Sequence, residues 1–279
     1  MSEPATHVPN LGGPLILNER DRSVVDRIVA PARPQEKRGQ IVHEGYRFVA
    51  FGETGSGKTS LERVVLYYTI AEGLANCAFI HDTKGIFPEY PRSIQLPTVE
   101  HFKARGFRDG DVPIVSFRGD PRADLVCSAE TVGAFCKGIG QRGQTLPNGQ
   151  WGPYSVVMVV EELAAASMPG RKNLAAPSVL WGLEQGRKVG VSVIGTTQSP
   201  RKVPLDFFGQ VSSTAYFRLT GSDANYLGDV LELDPALVQT LRGPTGEGLP
   251  RYKFCLSVKG ESWDGQIYSL DKRTALMFE

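Results

Sequence analysis

Gly52-Glu53-Thr54-Gly55-Ser56-Gly57-Lys58-Thr59 fits the spacing G-x-x-x-x-G-K-[ST] of a loop that grips the phosphates of a nucleoside triphosphate. Glycines at these places let backbone N–H groups turn inward around an anion with no Cβ in the way. A helix opening near Lys58 directs the positive end of its dipole at the same phosphates. Lys58 is then placed to reach the β- and γ-phosphates, and the Thr59 hydroxyl to ligate Mg²⁺. The flanks agree with this. Arg47-Phe48-Val49-Ala50-Phe51 predicts a strand entering the loop, and Leu61, Val64, Val65 and Tyr68 make an apolar helical stripe leaving it. A chance glycine-rich turn would have neither flank, so all eight residues from Gly52 to Thr59 are candidate contacts to ATP.

The second informative stretch is Tyr154-Ser155-Val156-Val157-Met158-Val159-Val160-Glu161-Glu162. A strand covered on both faces is apolar throughout, and this one runs directly into two acids. In a nucleotide hydrolase the first acid, Glu161, approaches Mg²⁺ through water, and the second, Glu162, polarises the attacking water. Aspartate is the commoner residue at the first position, and the longer glutamate still reaches. An apolar strand ending in acids is weak evidence alone; downstream of a phosphate loop it becomes a pair of catalytic candidates.

The 279 residues carry a formal net charge of +1, so any contact with nucleic acid must come from local patches. Cys77, Cys127, Cys136 and Cys255 lack metal-type spacing and suit buried thiols in a reducing compartment. No apolar run is long enough to span a membrane, and Met1 to Asn10 lacks the pattern of a signal peptide, which predicts a cytoplasmic protein.

Two parts are expected: an N-terminal arm and linker over 1–40, broken by prolines, and an ATPase domain over 41–279 with terminal strands and a tail. Asp21 to Val29 predicts one short helix with Val24, Val25, Ile28 and Val29 on its apolar side. Packing on a neighbouring subunit and loose tethering are both open for it. Cys77-Ala78-Phe79-Ile80 predicts a buried strand ending in His81-Asp82-Thr83-Lys84-Gly85. Ligands collect at the carboxyl ends of parallel strands. Asp82 and Lys84 therefore either face the nucleotide or form a turn in which Asp82 caps and Lys84 is solvated. Further helices are expected at 98–105, 128–139, 176–187, 222–230 and 235–241. Further strands are expected at 112–117, 190–198, 211–219, 252–258 and 266–269, and a polar, glycine-rich loop containing Arg142 at 140–152.

Strands alternating with helices over short connections predict a mainly parallel sheet with helices on both faces. With a further strand after the acids ending in Gln198, the arrangement resembles the RecA-like (ASCE) P-loop NTPase core. Within that class the chain resembles the FtsK–HerA superfamily of DNA-pumping motors over roughly residues 45–230. Four segments carry the resemblance. They are Gly55-Ser56-Gly57-Lys58-Thr59; the Asp-x-Lys of His81-Asp82-Thr83-Lys84-Gly85; the run from Gly186-Arg187 through Gly190-Val191-Ser192-Val193-Ile194-Gly195 to Thr196-Thr197-Gln198-Ser199-Pro200; and Ala215-Tyr216-Phe217-Arg218-Leu219-Thr220 with Asp223.

The resemblance implies roles. Gln198 would sense the γ-phosphate from the tip of its strand. Arg187 would act on the nucleotide, across a subunit boundary or within its own, and Arg218 is a second candidate for that task. A guanidinium can hydrogen-bond two of the oxygens that gain charge in phosphoryl transfer. The plainer alternatives are a helix-end surface arginine for Arg187 and a carboxylate-paired strand arginine for Arg218.

A motor core with little else is most similar to the genome-packaging ATPases of tailless, membrane-containing double-stranded DNA viruses. That likeness implies ATP and Mg²⁺ as cofactors and double-stranded DNA as partner. It also implies a homo-oligomeric ring, a hexamer, meeting capsid-vertex or membrane proteins in the host cytoplasm or virion. Arg142, Arg171 with Lys172, and Arg201 with Lys202 are the basic candidates for phosphate-backbone contacts. The alternatives are a conjugation or plasmid-mobilisation pump, a HerA-type DNA-repair translocase, and a nucleotide-dependent assembly switch without motor activity.

Overall fold

The computed structural model of the chain describes residues 17–37, 40–42, 44–83, 93–118, 127–142, 155–166, 176–203, 205–243 and 248–270. In chain order its elements are α1 (Glu19–Val29), β1 (Gln35–Lys37), β2 (Gln40–Val42), β3 (Arg47–Phe51), α2 (Lys58–Ala71), β4 (Cys77–Asp82), β5 (Ile94–Leu96), α3 (Val99–Arg105), β6 (Ile114–Arg118), α4 (Ala129–Arg142), β7 (Val156–Val160), α5 (Pro177–Glu184), β8 (Val191–Thr197), α6 (Leu205–Phe208), β9 (Ser213–Tyr216), α7 (Gly221–Leu231), α8 (Pro235–Arg242), β10 (Lys253–Val258) and β11 (Tyr268–Ser269).

Nine strands form one sheet in the order β11-β10-β9-β3-β8-β7-β4-β6-β5. From β9 to β5 all pairings are parallel; β10 and β11 extend the β9 edge antiparallel. Side chains alternate across a strand, so each central strand feeds two cores. Phe48 and Ala50 of β3 and Val157 and Val159 of β7 pack with Val64, Val65 and Leu66 of α2 and with Val24, Val25, Ile28 and Val29 of α1. Val49, Phe51, Val156, Met158 and Val160 face the other way, against residues of α3, α4, α5, α7 and α8. The parallel α/β core with helices on both faces forms as the alternation of elements predicted.

The helix expected at 21–29 turns its apolar side onto its own chain. Tyr68 of α2 donates to Asp26 at 2.7 Å, and Arg27 reaches Asp264 at 2.6 Å and Glu261 at 2.9 Å near the C-terminal strand. Part of the expected proline-rich linker is strand: β1 and β2 pair as a small antiparallel ladder. Strand β5 carries no apolar run long enough to announce itself and was not expected. Arg142, expected in a loop, is the last residue of α4. Thr98 stands at the N-cap of α3 but makes no capping bond; its hydroxyl is 2.9 Å from His101 Nδ1. The strand expected at 211–219 is only Ser213–Tyr216, because Thr220 already caps α7 by accepting from Asp223 N–H.

Candidate active site

β3 delivers the chain to the glycine-rich loop at the carboxyl edge of the sheet, and α2 leaves that loop at Lys58. Strand tips on either side pin it: Gly52 N–H donates to Thr197 O at 3.2 Å, and Glu53 N–H to Arg218 O at 2.9 Å. Two glycines are obligatory for different reasons. Gly57, the residue before α2, has φ +110°, where a side chain is strained. A Cβ at Gly52 would lie 2.6 Å from Cβ of Phe217. Lys58 is buried, and its ammonium donates to the Glu53 carbonyl at 2.8 Å, folded over the loop it belongs to.

β8 is inserted between β3 and β7, so the tip of β8 sits between the loop and the two acids. Gln198 accepts from the Thr54 hydroxyl at 2.7 Å on the loop side. On the other side, Glu162 accepts from Thr197 Oγ1 at 2.6 Å and from Gln198 N–H at 3.3 Å. Glu162 has φ +57°, uncommon for a residue with a Cβ. This turn ends β7 abruptly and swings the carboxylate across the neighbouring strand tip. Strained backbone of this kind persists where surrounding contacts over-determine it, often at active sites. Glu161 is buried, and Thr83 Oγ1 lies 3.4 Å from its Oε2.

Residues 54–59, Glu161, Glu162 and Gln198 line one cleft of about 540 Å³. Thr59 and Glu161 bring a hydroxyl and a carboxylate to it, the hard oxygen donors that Mg²⁺ takes beside substrate phosphates. Among the described residues no cluster of three His, Cys, Asp or Glu side chains stands ready for a metal. A Mg²⁺ shared with phosphates needs no such cluster. A larger groove, about 1420 Å³, lies between α7 and α8, but it holds neither the phosphate loop nor the paired acids.

Other expected residues lie elsewhere. Asp82 ends β4 buried against Ser116, 3.4 Å away, and does not line the cleft; its neighbour Thr83, in the bend just past the strand, does. Arg187 precedes β8, its backbone oxygen accepting from Gly45 N–H at 3.0 Å before β3 begins. The seven residues of β8 therefore separate it from the cleft by about 20 Å. Its side chain is half exposed and ion-paired with Glu44. Arg218 is at the loop itself, 3.3 Å from the Glu53 carboxylate, on the β9 side and away from the acids. Arg201 follows the Gln198 tip; it bonds Asp223 at 3.1 Å and lies over Tyr226, and Lys202 beside it is exposed. Lys84, Arg171 and Lys172 fall outside the described residues.

Several residues stand at the site beyond those expected there, Ser60 and Thr196 in its lining among them. Thr197 and Thr83 stand inside segments already singled out, but only the positions of β8 and β4 beside β7 make them partners of the acids. Arg63 lies four residues after Thr59 on α2, hence on the same helix face, a signal available from spacing. Tyr252 has no local signal.

A phosphate loop on the central strand β3, with β8 lying between it and the strand of paired acids, defines the RecA-like P-loop NTPase fold. No family model and no curated relative matches the sequence. The likeness is in three dimensions. The genome packaging NTPase B204 from Sulfolobus turreted icosahedral virus 2, in complex with ATP-gammaS, superposes with a TM-score of 0.53 at 13% identity, covering 81% of this chain and 97% of that one. Its complex with AMPPCP gives 0.54 at 13% identity, with the same coverage of both chains. VirB4 of Thermoanaerobacter pseudethanolicus gives 0.54 at 11% identity, over 81% of this chain and 88% of that one. The chain thus shares its fold with these proteins.

Proposed function

We propose that this protein hydrolyses ATP with Mg²⁺ and uses the energy to move double-stranded DNA, packaging a viral genome into a capsid. The observation that carries the proposal is the convergence of Lys58, Thr59, Glu161, Glu162 and Gln198 on one cleft. Packaging, in particular, is supported by fold likeness to a genome packaging NTPase over nearly that protein's whole length.

Loop N–H groups and the start of α2 hold the triphosphate. Lys58 exchanges the Glu53 carbonyl for the β- and γ-phosphates. Thr59 and Glu161 would hold Mg²⁺, which would supply charge neutralisation to the phosphates. Glu162 orients a water and accepts its proton as the water oxygen bonds to the γ-phosphorus and the bond to the bridging oxygen breaks, yielding ADP and phosphate. Gln198 leaves Thr54 for the γ-phosphate, and because its backbone N–H also holds Glu162, occupancy at one is felt at the other.

Arg187 is ion-paired with Glu44 at the far end of β8 from its own cleft, so any part it takes in catalysis would be played across the boundary between neighbouring copies in a ring, which we take to be a hexamer. Arg218, beside the loop, acts within its chain. Among the described residues, Arg201 and Lys202, directly after the Gln198 tip, are the basic residues best placed to pass its movement to a DNA backbone. Capsid-vertex or membrane proteins would dock the ring. No helix among the described residues is long and apolar enough to cross a membrane.

The equal likeness to VirB4 supports a second reading, a conjugation pump. The test is the ATPase rate with and without double-stranded DNA, alongside the mass in nucleotide. A motor turns over faster with duplex present and assembles into a ring. A rate indifferent to duplex would leave only a nucleotide-dependent switch.

A further inference from the structure

The cleft has a polarity. Glu161, Glu162, Thr196 and Gln198 come from the β8 and β7 tips, and Thr83 from β4, all on one flank of β3. Residues 54–60 and Arg63 come from the loop and α2. On the other flank, where β9 and β10 lie, the described lining residue is Tyr252, directly ahead of β10. A triphosphate whose terminal phosphate lies among the acids and Gln198 must leave its nucleoside on the opposite flank, towards that tyrosine.

Tyr252 is built for exposure. It is 60% exposed, one of few large apolar side chains that are. Its backbone has φ +62°, a costly conformation outside glycine and asparagine. Its N–H donates to Ser56 O at 2.9 Å, fastening it to the phosphate loop. Its ring lies so close to Gly57 that a Cβ there would be 3.3 Å from Cδ1. A glycine at 57 thus serves two ends: it takes the left-handed turn and leaves room for the ring beside it.

We propose that Tyr252 is the platform on which the nucleobase stacks, so that one side chain from the turn ahead of β10 holds the base while the loop it is bonded to holds the phosphates. The inference rests on the phosphate-loop assignment and adds to it the residue that recognises the other end of the substrate. An aromatic face stacks on any base, so Tyr252 contributes affinity for a nucleoside over a bare phosphate chain.

The experiment compares dissociation constants for ATP and for inorganic tripolyphosphate, each with Mg²⁺, in the full chain and in Tyr252→Ala, Tyr252→Phe and Lys58→Ala. Tyr252→Ala should bind ATP about 5- to 100-fold more weakly, with tripolyphosphate unchanged and with Tyr252→Phe close to the parent. Lys58→Ala should lose both ligands. Two results overturn the proposal: Tyr252→Ala binding ATP as tightly as the parent, or losing both ligands equally, which would make the ring a prop for the loop. If Lys58→Ala keeps both ligands, the phosphate-loop assignment itself fails, a result visible independently of Tyr252.

Discussion

Replacing Glu162 by glutamine separates structure from chemistry at the proposed general base. In the fold its carboxylate accepts from Thr197 Oγ1 at 2.6 Å and from Gln198 N–H at 3.3 Å. A glutamine fits the same space. Its amide oxygen still accepts from Gln198 N–H, and its NH₂ group donates to Thr197 Oγ1, which rotates to accept. The buried Thr197 hydroxyl, which also accepts from Ser199 N–H at 3.2 Å, gives up its own acceptor in this exchange, so the fold should lose about 1–3 kcal/mol. A positioned general base contributes about 10²–10⁴ in rate, or about 3–5 kcal/mol of barrier, and an amide cannot take the proton.

The assay pairs steady-state ATP turnover with thermal unfolding. At ATP a hundredfold above its dissociation constant, bound nucleotide stabilises the fold by about 2.7 kcal/mol, which for a chain this size raises Tm by about 4–5 °C. Glu162→Gln should keep that rise and lose turnover. Two outcomes refute the reasoning. In one, Glu162→Gln turns over normally while Glu161→Gln does not, which reverses the order of the two acids. In the other, the nucleotide-induced rise disappears, which makes Glu162 part of the binding site.

Two further outcomes are expected. Arg187→Ala should lower turnover, by as much as about 10³–10⁵ if it acts as an arginine finger. Mixing it with Glu162→Gln should restore activity at interfaces where an intact Arg187 meets an intact Glu162; a mixture as inactive as its components would refute action across a boundary. Stability without nucleotide should fall in mild acid because of His81. Burial pushes its imidazole down to about 4, with Asp82 and the Cys127 carbonyl opposing. Between pH 6.5 and 4 the unfolded chain carries a proton that the folded chain refuses, so the contribution is intact above 6.5. It falls by about 1.4 kcal/mol per pH unit below, on the order of 3 kcal/mol in all. His81→Gln should flatten that slope in urea titrations; an unchanged slope would show that the acid loss arises elsewhere.

What the sequence determined by itself is local or periodic. The phosphate loop is legible because backbone curvature around an anion demands glycines at fixed spacing, and Gly57 at φ +110° meets that demand. β7 is legible because a strand buried on both faces admits only apolar residues until it meets the acids. The α/β class follows from the alternation of such strands with amphipathic helices such as α4 and α7. Strand order was not available in this way. That β8 lies between β3 and β7 follows from the packing of a whole twisted sheet, and only that order brings Thr197 to Glu162 and Thr54 to Gln198.

The same limit holds for single side chains. Asp82 and Thr83 are neighbours in the chain, yet one is buried against Ser116 and the other opens on the cleft. Arg187 and Gln198 bracket one strand and so stand at opposite edges of the sheet. Tyr252 lies 195 positions beyond Gly57 in the chain and directly against it in the fold. Spacing records what a few adjacent residues must do together; which distant strand tip closes over them is decided by burial summed over the entire core.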